Sequence, residues 1–445
     1  MRTSRVSTSP RSGPPAALRL GWFPWAALAF VLAGAGYSIL LGEHLRFPDE
    51  RDYLAYARHL IQAGHYSLDG QVPDSYRPPG YSLALAPVVA IADSVHAVRI
   101  VQFALLSVTV WWLAGLAMQT PLPSASPRTG RENGPSTHRD RLATALLIGL
   151  AGYPVLIYTA GTLFPQALIG LLVVGGVALV CSPLAARRPV IAAALAGLLA
   201  GFTAEVSPTA LMLVPVLGWY CLQEQQSRMA EVRTAKPRRN EARSPLWQIA
   251  GTFMLCAALV PGAWLVRNLI VLQQPVLFSQ NLAENLDNAV LSLEPLDADE
   301  IRPPKGALEY GLERLAQLID SPTDYLDRLL GFFATSNDLQ VRTESSPVRE
   351  RVMAITYLAL LGLVALRLVQ ALPFARTTPL SRPERIALML YLLTALFHAL
   401  VFTRIRYRLP FDLLLLLPAM NAIRIVLHAR VHRIRRLALE GGGES

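Results

Sequence analysis

The sequence predicts an all-α polytopic membrane protein, a bundle of about ten transmembrane helices with two long loops on one side. Three observations predict it. Hydrophobic residues make up 53% of the chain and charged residues only 16%, where a soluble protein carries about a quarter charged. Apolar stretches of near-spanning length recur from one end to the other. Lys and Arg, 41 against 31 Asp and Glu, fall mostly in alternate loops. A net charge of +10 would also suit nucleic acid, but the apolar runs point to a bilayer instead. The composition excludes a disordered or acidic-tail protein and fits an ordinary soluble enzyme poorly.

The elements follow in order. Residues 1–20 are a basic tail with Arg2, Arg5, Arg11 and Arg19 and no acid. The stretch 21–42 has no small-residue cleavage site directly after it, so it reads as an uncleaved first helix. A first long loop, 43–96, precedes the stretches 97–118, 142–160, 166–183, 189–204, 208–222 and 247–270. A second long loop, 271–351, is acidic and amphipathic. The stretches 352–372, 385–402 and 409–427 complete a transmembrane domain over 21–427, and 428–445 is a second basic tail. A span needs about 20 residues, so 189–204 and 208–222 are short. Alternating the spans gathers both tails and the linkers 119–141, 184–188, 223–246 and 373–384 on one side. That side holds about 24 of the 41 Lys and Arg, and the positive-inside rule makes it cytoplasmic. Both long loops are then extracytoplasmic, on the outer face of a cell inner (plasma) membrane. Cys181, Cys221 and Cys256 lie in or beside apolar runs without metal-ligand spacing and read as buried small hydrophobes.

The first loop opens Arg46-Phe47-Pro48-Asp49-Glu50-Arg51-Asp52-Tyr53-Leu54-Ala55-Tyr56-Ala57. A helix starting after Pro48 puts Asp49, Asp52, Tyr53 and Tyr56 on one face. Ala57, Leu60 and Ile61 extend an apolar stripe, as in a helix lying flat on the membrane surface. Partial desolvation at such a place raises a carboxylate's pKa and suits a general base for a hydroxyl acceptor. The alternative is that the acids complement the helix dipole. Further on, Asp74-Ser75-Tyr76-Arg77-Pro78-Pro79-Gly80-Tyr81 is a stiff turn back to the membrane. Its Arg77 either holds a phosphate, pairs with an acid of the same loop, or is solvated.

An Asp-Glu pair leading a Tyr/Ala helix, then Arg-Pro-Pro-Gly-Tyr, resembles the GT-C glycosyltransferases, nearest to the protein O-mannosyltransferase and lipid A aminoarabinose transferase superfamily. Those enzymes take a sugar from a polyprenyl-phosphate carrier on the outer face, with a catalytic Asp that matches Asp49. Two more motifs resemble the family. Pro261-Gly262-Ala263-Trp264-Leu265-Val266-Arg267-Asn268 is similar to its Pro-Trp-x-x-Arg-Asn signature with the proline shifted, and Ser279-Gln280-Asn281 with Asn285 to the strip that follows it. Arg406-Tyr407-Arg408-Leu409-Pro410 is similar to its Arg-Tyr-x-x-Pro element, preceded here by Arg404. Three arginines on the outer side oppose the positive-inside bias, and phosphate suits their fork geometry; headgroup snorkelling is the other reading.

The chain departs from the family twice. A Ser-Glu pair common at the start of a middle span is absent, with Gln166 at the comparable place in Leu163-Phe164-Pro165-Gln166. An Arg-Pro after a glycine-rich helix is replaced by Ser207-Pro208, with Glu205 just before as either a second site acid or an exposed one.

The resemblance implies inverting sugar transfer from a polyprenyl-phosphate donor to a hydroxyl of a glycan, lipid or protein. Asp49 is the base, and Glu50 orients the acceptor or shares that role. Arg77, Tyr81, Arg267, Asn268, Arg404, Arg406, Tyr407 and Arg408 bind substrate. No cofactor is required by any motif and no metal ligand set is assigned, although a divalent cation is compatible with the acid pairs. No nucleotide motif occurs, and membrane lipids rather than nucleic acid are the expected surroundings. The rivals are a polysaccharide polymerase or ligase using lipid-linked sugars, and a non-catalytic transporter or flippase of such lipids.

Overall fold

The structure is a computed structural model that describes residues 21–122, 135–151, 153–234, 245–281, 322–335, 347–373, 378–401 and 405–441. The N-terminal tail 1–20, residues 442–445, most of the second long loop, Asn285 and Arg404 lie outside the described residues, while the expected C-terminal tail is helical as far as Gly441. All regular structure described is helical. In chain order the helices are α1 (Trp22–Leu41), α2 (Pro48–Gln62), α3 (Pro79–Ile91), α4 (Val95–Ala117), α5 (Pro135–Ala151), α6 (Pro154–Ala160), α7 (Gln166–Val180), α8 (Pro183–Arg187), α9 (Pro189–Val206), α10 (Leu213–Thr234), α11 (Leu246–Val271), α12 (Pro322–Phe332), α13 (Pro347–Gln370), α14 (Arg382–Val401) and α15 (Ile405–Gly441). The protein is therefore an all-α polytopic membrane protein.

The span count is lower than the ten expected. Each of the ten apolar stretches is helical, but among the described residues seven helices are long and apolar enough to cross a membrane: α1, α4, α9, α11, α13, α14 and α15. The bent pair α5 and α6 makes an eighth if it is one span. Proline breaks two of the stretches. Pro154 restarts the chain after a break, since it can neither donate a helical N–H nor leave its predecessor α-helical. Pro208 does the same at 208–222, which becomes a 3-10 turn (Pro208–Ala210) followed by α10, polar in its later half. Helix α7 has only 15 residues.

Small residues let the bundle close. Gly197 and Gly201, one turn apart on α9, lie against the α11 backbone, where an added Cβ would overlap the carbonyls of Phe253 and Ala257. Buried arginines then tie helix ends together. Arg99 of α4 donates to the carbonyls of Gly42 and His44, fixing the exit from α1. Arg367 of α13 forms a two-bond pair with Glu384 of α14 at 2.7 and 3.0 Å, with both side chains fully buried.

Helix α2 does not present its tyrosine and Ala57 side to lipid. Tyr53, Leu54, Tyr56 and Ala57 are buried, the Tyr53 ring meets Tyr81 of α3 edge-on at 5.0 Å, and Ser82 of α3 donates to the Tyr53 carbonyl. Only the far end of the stripe, at Ile61, is exposed. The aromatic bulk of the face finds a protein partner, so it has no need of a lipid one.

Candidate active site

Six stretches of the sequence converge on one cavity of about 100 Å³. Its wall includes Asp49 and Tyr53 of α2, Arg77 and Pro78, the turn Phe164–Gln166, the break Val206–Thr209, Ser279 and Asn281, and Arg406, Tyr407 and Pro410 of α15. Local chemistry explains each arrival.

Pro48 starts α2, and Glu50 reaches back to accept from the backbone N–H groups of Arg46 at 2.7 Å and Phe47 at 3.0 Å. This is the carboxylate half of a capping box. The other Glu50 oxygen accepts from Leu163 N–H at 2.8 Å. Glu50 is thus buried and fully engaged in joining α2 to the 161–165 turn. It does not line the cavity, and the expected acceptor contact is not available to it. Gln102 of α4 holds the same turn, donating to the carbonyls of Ala160 and Thr162 and accepting from the Tyr81 hydroxyl at 3.3 Å. Tyr81 likewise stands behind the cavity wall rather than in it.

Gly80 has a steric reason. An added Cβ would come within 2.5 Å of Val206 N and 2.7 Å of the Glu205 carbonyl oxygen. The start of α3 can therefore rest directly on the end of α9, which brings Arg77-Pro78 and Val206–Thr209 into one wall.

The charged centre is a chain of four groups. Arg77 Nη2 donates to Asp49 Oδ1 and to Asp52 Oδ2, both at 2.7 Å, and its Nε adds a 3.0 Å bond to Asp52. Arg406 Nη1 donates to the other Asp49 oxygen at 2.8 Å, and its guanidinium lies 4.7 Å from the centre of the Phe164 ring. Asp49 thus stands between two guanidiniums. Their side chains keep some exposure toward the cavity: 20% for Asp49, 12% for Arg77 and 29% for Arg406.

Burial pushes the Asp49 pKa up, but the charges and hydrogen bonds of Arg406 and Arg77 outweigh it and hold the group below the ordinary carboxylate value. The sequence expectation of a raised value is reversed, because Arg77 takes the acid-pairing role among its three expected uses and Arg406 adds a second cation. Tyr53, buried beside the pair, is pushed up to about 12 by that burial and stays a neutral hydrogen-bonding group.

The other expected ligands are engaged elsewhere. Arg267 donates to the carbonyls of Asp74 and Tyr66 and to Asn268 Oδ1, and it stacks 4.8 Å from the Trp264 ring. Asn268 is buried and donates to Val276 O. Arg267 fastens α11 to the first loop. Asn268 and Trp264, the latter bonded to Phe278 O, hold the strip that follows α11, and the backbone N–H groups of Gln280 and Asn281 in that strip donate to the carbonyls of Ser75 and Tyr76. That strip delivers Ser279 and Asn281 to the cavity. Arg408 points away, into a sealed cluster with Asp412. Of the Arg404–Arg408 motif only Arg406 and Tyr407 reach the cavity among the described residues. Glu205 is neither exposed nor in the cavity wall; it is buried, and neither carboxylate oxygen has a hydrogen-bond partner.

Sequence reasoning assigned no role to Phe164, Ser207 and Thr209, and noted Gln166 only as a departure. Their common signal is a proline break beside a polar residue, Pro165-Gln166 and Ser207-Pro208-Thr209, within otherwise apolar helices. Among the described residues no three His, Cys, Asp or Glu side chains gather to hold a metal ion. Asp49 and Asp52 are both paired with guanidiniums.

Comparison of the chain with protein-family models, with curated proteins and with solved structures finds no match.

Proposed function

We propose that this protein is a membrane glycosyltransferase that moves a sugar from a polyprenyl-phosphate carrier to an acceptor hydroxyl on the outer face of the membrane, with inversion. The observation that carries the reading is Asp49 held between Arg77 and Arg406 in a cavity among apolar helices. A base and phosphate-binding guanidiniums are the two groups that the reaction needs within one ligand's length. The resemblance of the same residues to GT-C motifs points the same way.

In this mechanism the donor phosphate takes the place of Asp49 on Arg406. One Asp49 oxygen is then free, and loss of a neighbouring cation raises its basicity. The acceptor hydroxyl gives its proton to Asp49 as its oxygen attacks the anomeric carbon. The bond from that carbon to the phosphate oxygen breaks, and the electron pair leaves on the polyprenyl phosphate, where Arg406 stabilises it. Arg77 keeps Asp49 oriented through the exchange. Glu50 and Tyr81 act only by positioning the 161–165 turn. Orientation follows the arginine distribution, with the cavity extracytoplasmic and the apolar helices around it receiving the carrier's chain.

A second reading, a non-catalytic binder or flippase of the same lipids, is favoured by one observation: both Asp49 oxygens are already occupied, as in a structural ion pair. The test is to reconstitute the purified protein with polyprenyl-phosphate sugars and acceptors and to follow release of the carrier. Release by wild type and its loss in Asp49→Asn supports the transferase. Unchanged release in the mutant removes Asp49 as base. Lipid binding without release by wild type favours the second reading. A single cysteine placed at the exposed position 51 should label from the extracytoplasmic side, and cytoplasmic labelling would remove both readings.

A further inference from the structure

The cavity wall carries two chemically different sets of groups. One is charged: Asp49, Arg77 and Arg406. The other is neutral and polar: Gln166 at the start of α7 and the Ser207–Thr209 pair just after α9, besides Ser279, Asn281 and Tyr407. Gln166 is 4% exposed, it lines the cavity, and its buried amide oxygen has no hydrogen-bond partner. An unmet buried acceptor of this kind costs about 1–3 kcal/mol, and native interiors rarely tolerate one without a reason. The Ser207 and Thr209 hydroxyls bond to each other at 2.7 Å, which leaves each with capacity for a further bond, since a hydroxyl has one donor and two acceptor positions.

A neutral amide and two hydroxyls are poor partners for phosphate, which is best held by charged donors. They are well matched to a ligand whose groups both donate and accept, above all sugar hydroxyls. The wall between them is apolar, with Ile169 one turn along α7 from Gln166 and Val206 beside Ser207. Such a surface suits the C–H faces of a pyranose or furanose ring.

We propose that Gln166, supported by Ser207 and Thr209, is the subsite that recognises the hydroxyls of the donor's glycosyl group, while Arg406 takes the phosphate that carries it. This rests on the transferase reading and names what it leaves open: the cavity sorts donors through neutral hydrogen bonds to the sugar, and a sugar-free carrier uses only the charged groups. Gln166 is placed to accept from a sugar hydroxyl that has no other partner in the site. A hydroxyl lost or inverted at that point leaves the amide unmet again, which is how a polar site discriminates.

The test uses full-length protein in lipid nanodiscs and two kinds of probe, undecaprenyl phosphate and its glucosyl and mannosyl esters. Wild type should bind at least one ester about tenfold more tightly than the sugar-free lipid, the equivalent of one good buried hydrogen bond. Gln166→Leu and the near-isosteric Gln166→Met should abolish that preference, leaving affinity for undecaprenyl phosphate within about twofold of wild type. The retained lipid binding also reports that each variant is folded. If either variant keeps the preference, or wild type shows none, the subsite assignment is overturned while the transferase reading stands. If wild type binds no undecaprenyl phosphate at all, the transferase reading itself falls and takes the subsite with it.

Discussion

Arg406 and Arg408 stand two residues apart on α15, each paired with an aspartate, yet the two pairs live in opposite surroundings. Two residues turn a helix by about 200°, so the side chains leave on opposite faces. Arg406 meets Asp49 at the cavity wall, where both keep a fifth or more of their side-chain surface. Arg408 meets Asp412 at 3.3 Å with 3% and 0% exposed. Around that second pair every group has further partners: Arg408 donates to Phe332 O at 2.7 Å and Ala334 O at 2.8 Å, and its guanidinium lies 3.7 Å from the Tyr357 ring centre. Asp412 accepts from Tyr153 at 2.8 Å and Tyr391 at 3.2 Å. The sealed pair has no room for a ligand and joins α6, α12, α13 and α14 to α15. The open pair has room for a competitor, and a competitor is what a reaction centre requires. Access, not the identity of the ion pair, separates the two roles.

Mutations should split along that line. The largest effect is expected from Asp49→Asn, which should lower turnover by about 10² to 10⁴-fold, the usual range for a lost general base. Its thermal midpoint should fall less than on breaking the sealed pair, because Arg77 keeps Asp52 and Arg406 keeps some access to the cavity. Asp412→Ala should do the reverse. Leaving Arg408 buried without its carboxylate is expected to cost about 3–5 kcal/mol of stability, read as a lowered thermal midpoint in detergent. Whatever fraction folds should keep wild-type turnover per active site. Equal losses of stability in the two variants would erase the distinction.

Gly80→Ala sharpens the comparison from the scaffold side. The new methyl would meet backbone at Glu205 and Val206, which cannot rotate away as a side chain could. A strain of about 1–3 kcal/mol is expected. Because the shift would separate Arg77-Pro78 from Val206–Thr209, turnover should fall as well. A variant with unchanged melting and turnover would mean that this close approach does not shape the cavity.

The open pair was largely legible in the sequence and the sealed pair only half so. Asp49 follows a helix-starting proline, Arg77 sits in a Pro-Pro-Gly turn, and Arg406 breaks the positive-inside pattern, so each drew attention although they lie 28 and 357 residues from Asp49. From sequence Arg408 is expected to bind substrate and no role is read for Asp412, although its spacing of four from Arg408 is that of a helical pair. What hid its role was the surrounding shell of Phe332, Ala334 and three tyrosines, which only tertiary packing assembles. The same limit explains Arg267, whose carbonyl partners come from a loop about 200 residues away. From sequence Glu50 orients the acceptor, shares the base role or complements the helix dipole; the structure uses it as the capping acid at the third helical position. The fold was clearest where apolar length alone decides, and weakest at 142–160 and 208–222, where proline divides an apolar run that composition alone reads as continuous.

The smallest effect is a displacement of pH profiles, and it tests the exchange of phosphate for Asp49 directly. In the free protein Asp49 lies below its ordinary value of 3.8, since Arg406 and Arg77 more than offset burial. The sign follows from linkage: its ion pairs stabilise the fold fully above pH 3.8, and that contribution is lost as pH falls through the lower folded value. The acid limb of kcat/KM reports the free protein, so it should fall below pH 3.8. The limb of kcat reports the donor complex. If donor phosphate draws Arg406 away, Asp49 keeps its burial but loses one guanidinium, and its pKa must rise. The kcat limb should therefore lie at higher pH than the kcat/KM limb, whereas Asp412, sealed in both states, supplies no such displacement. Coincident limbs would mean that Arg406 never leaves Asp49, and the open pair would then be as static as the sealed one.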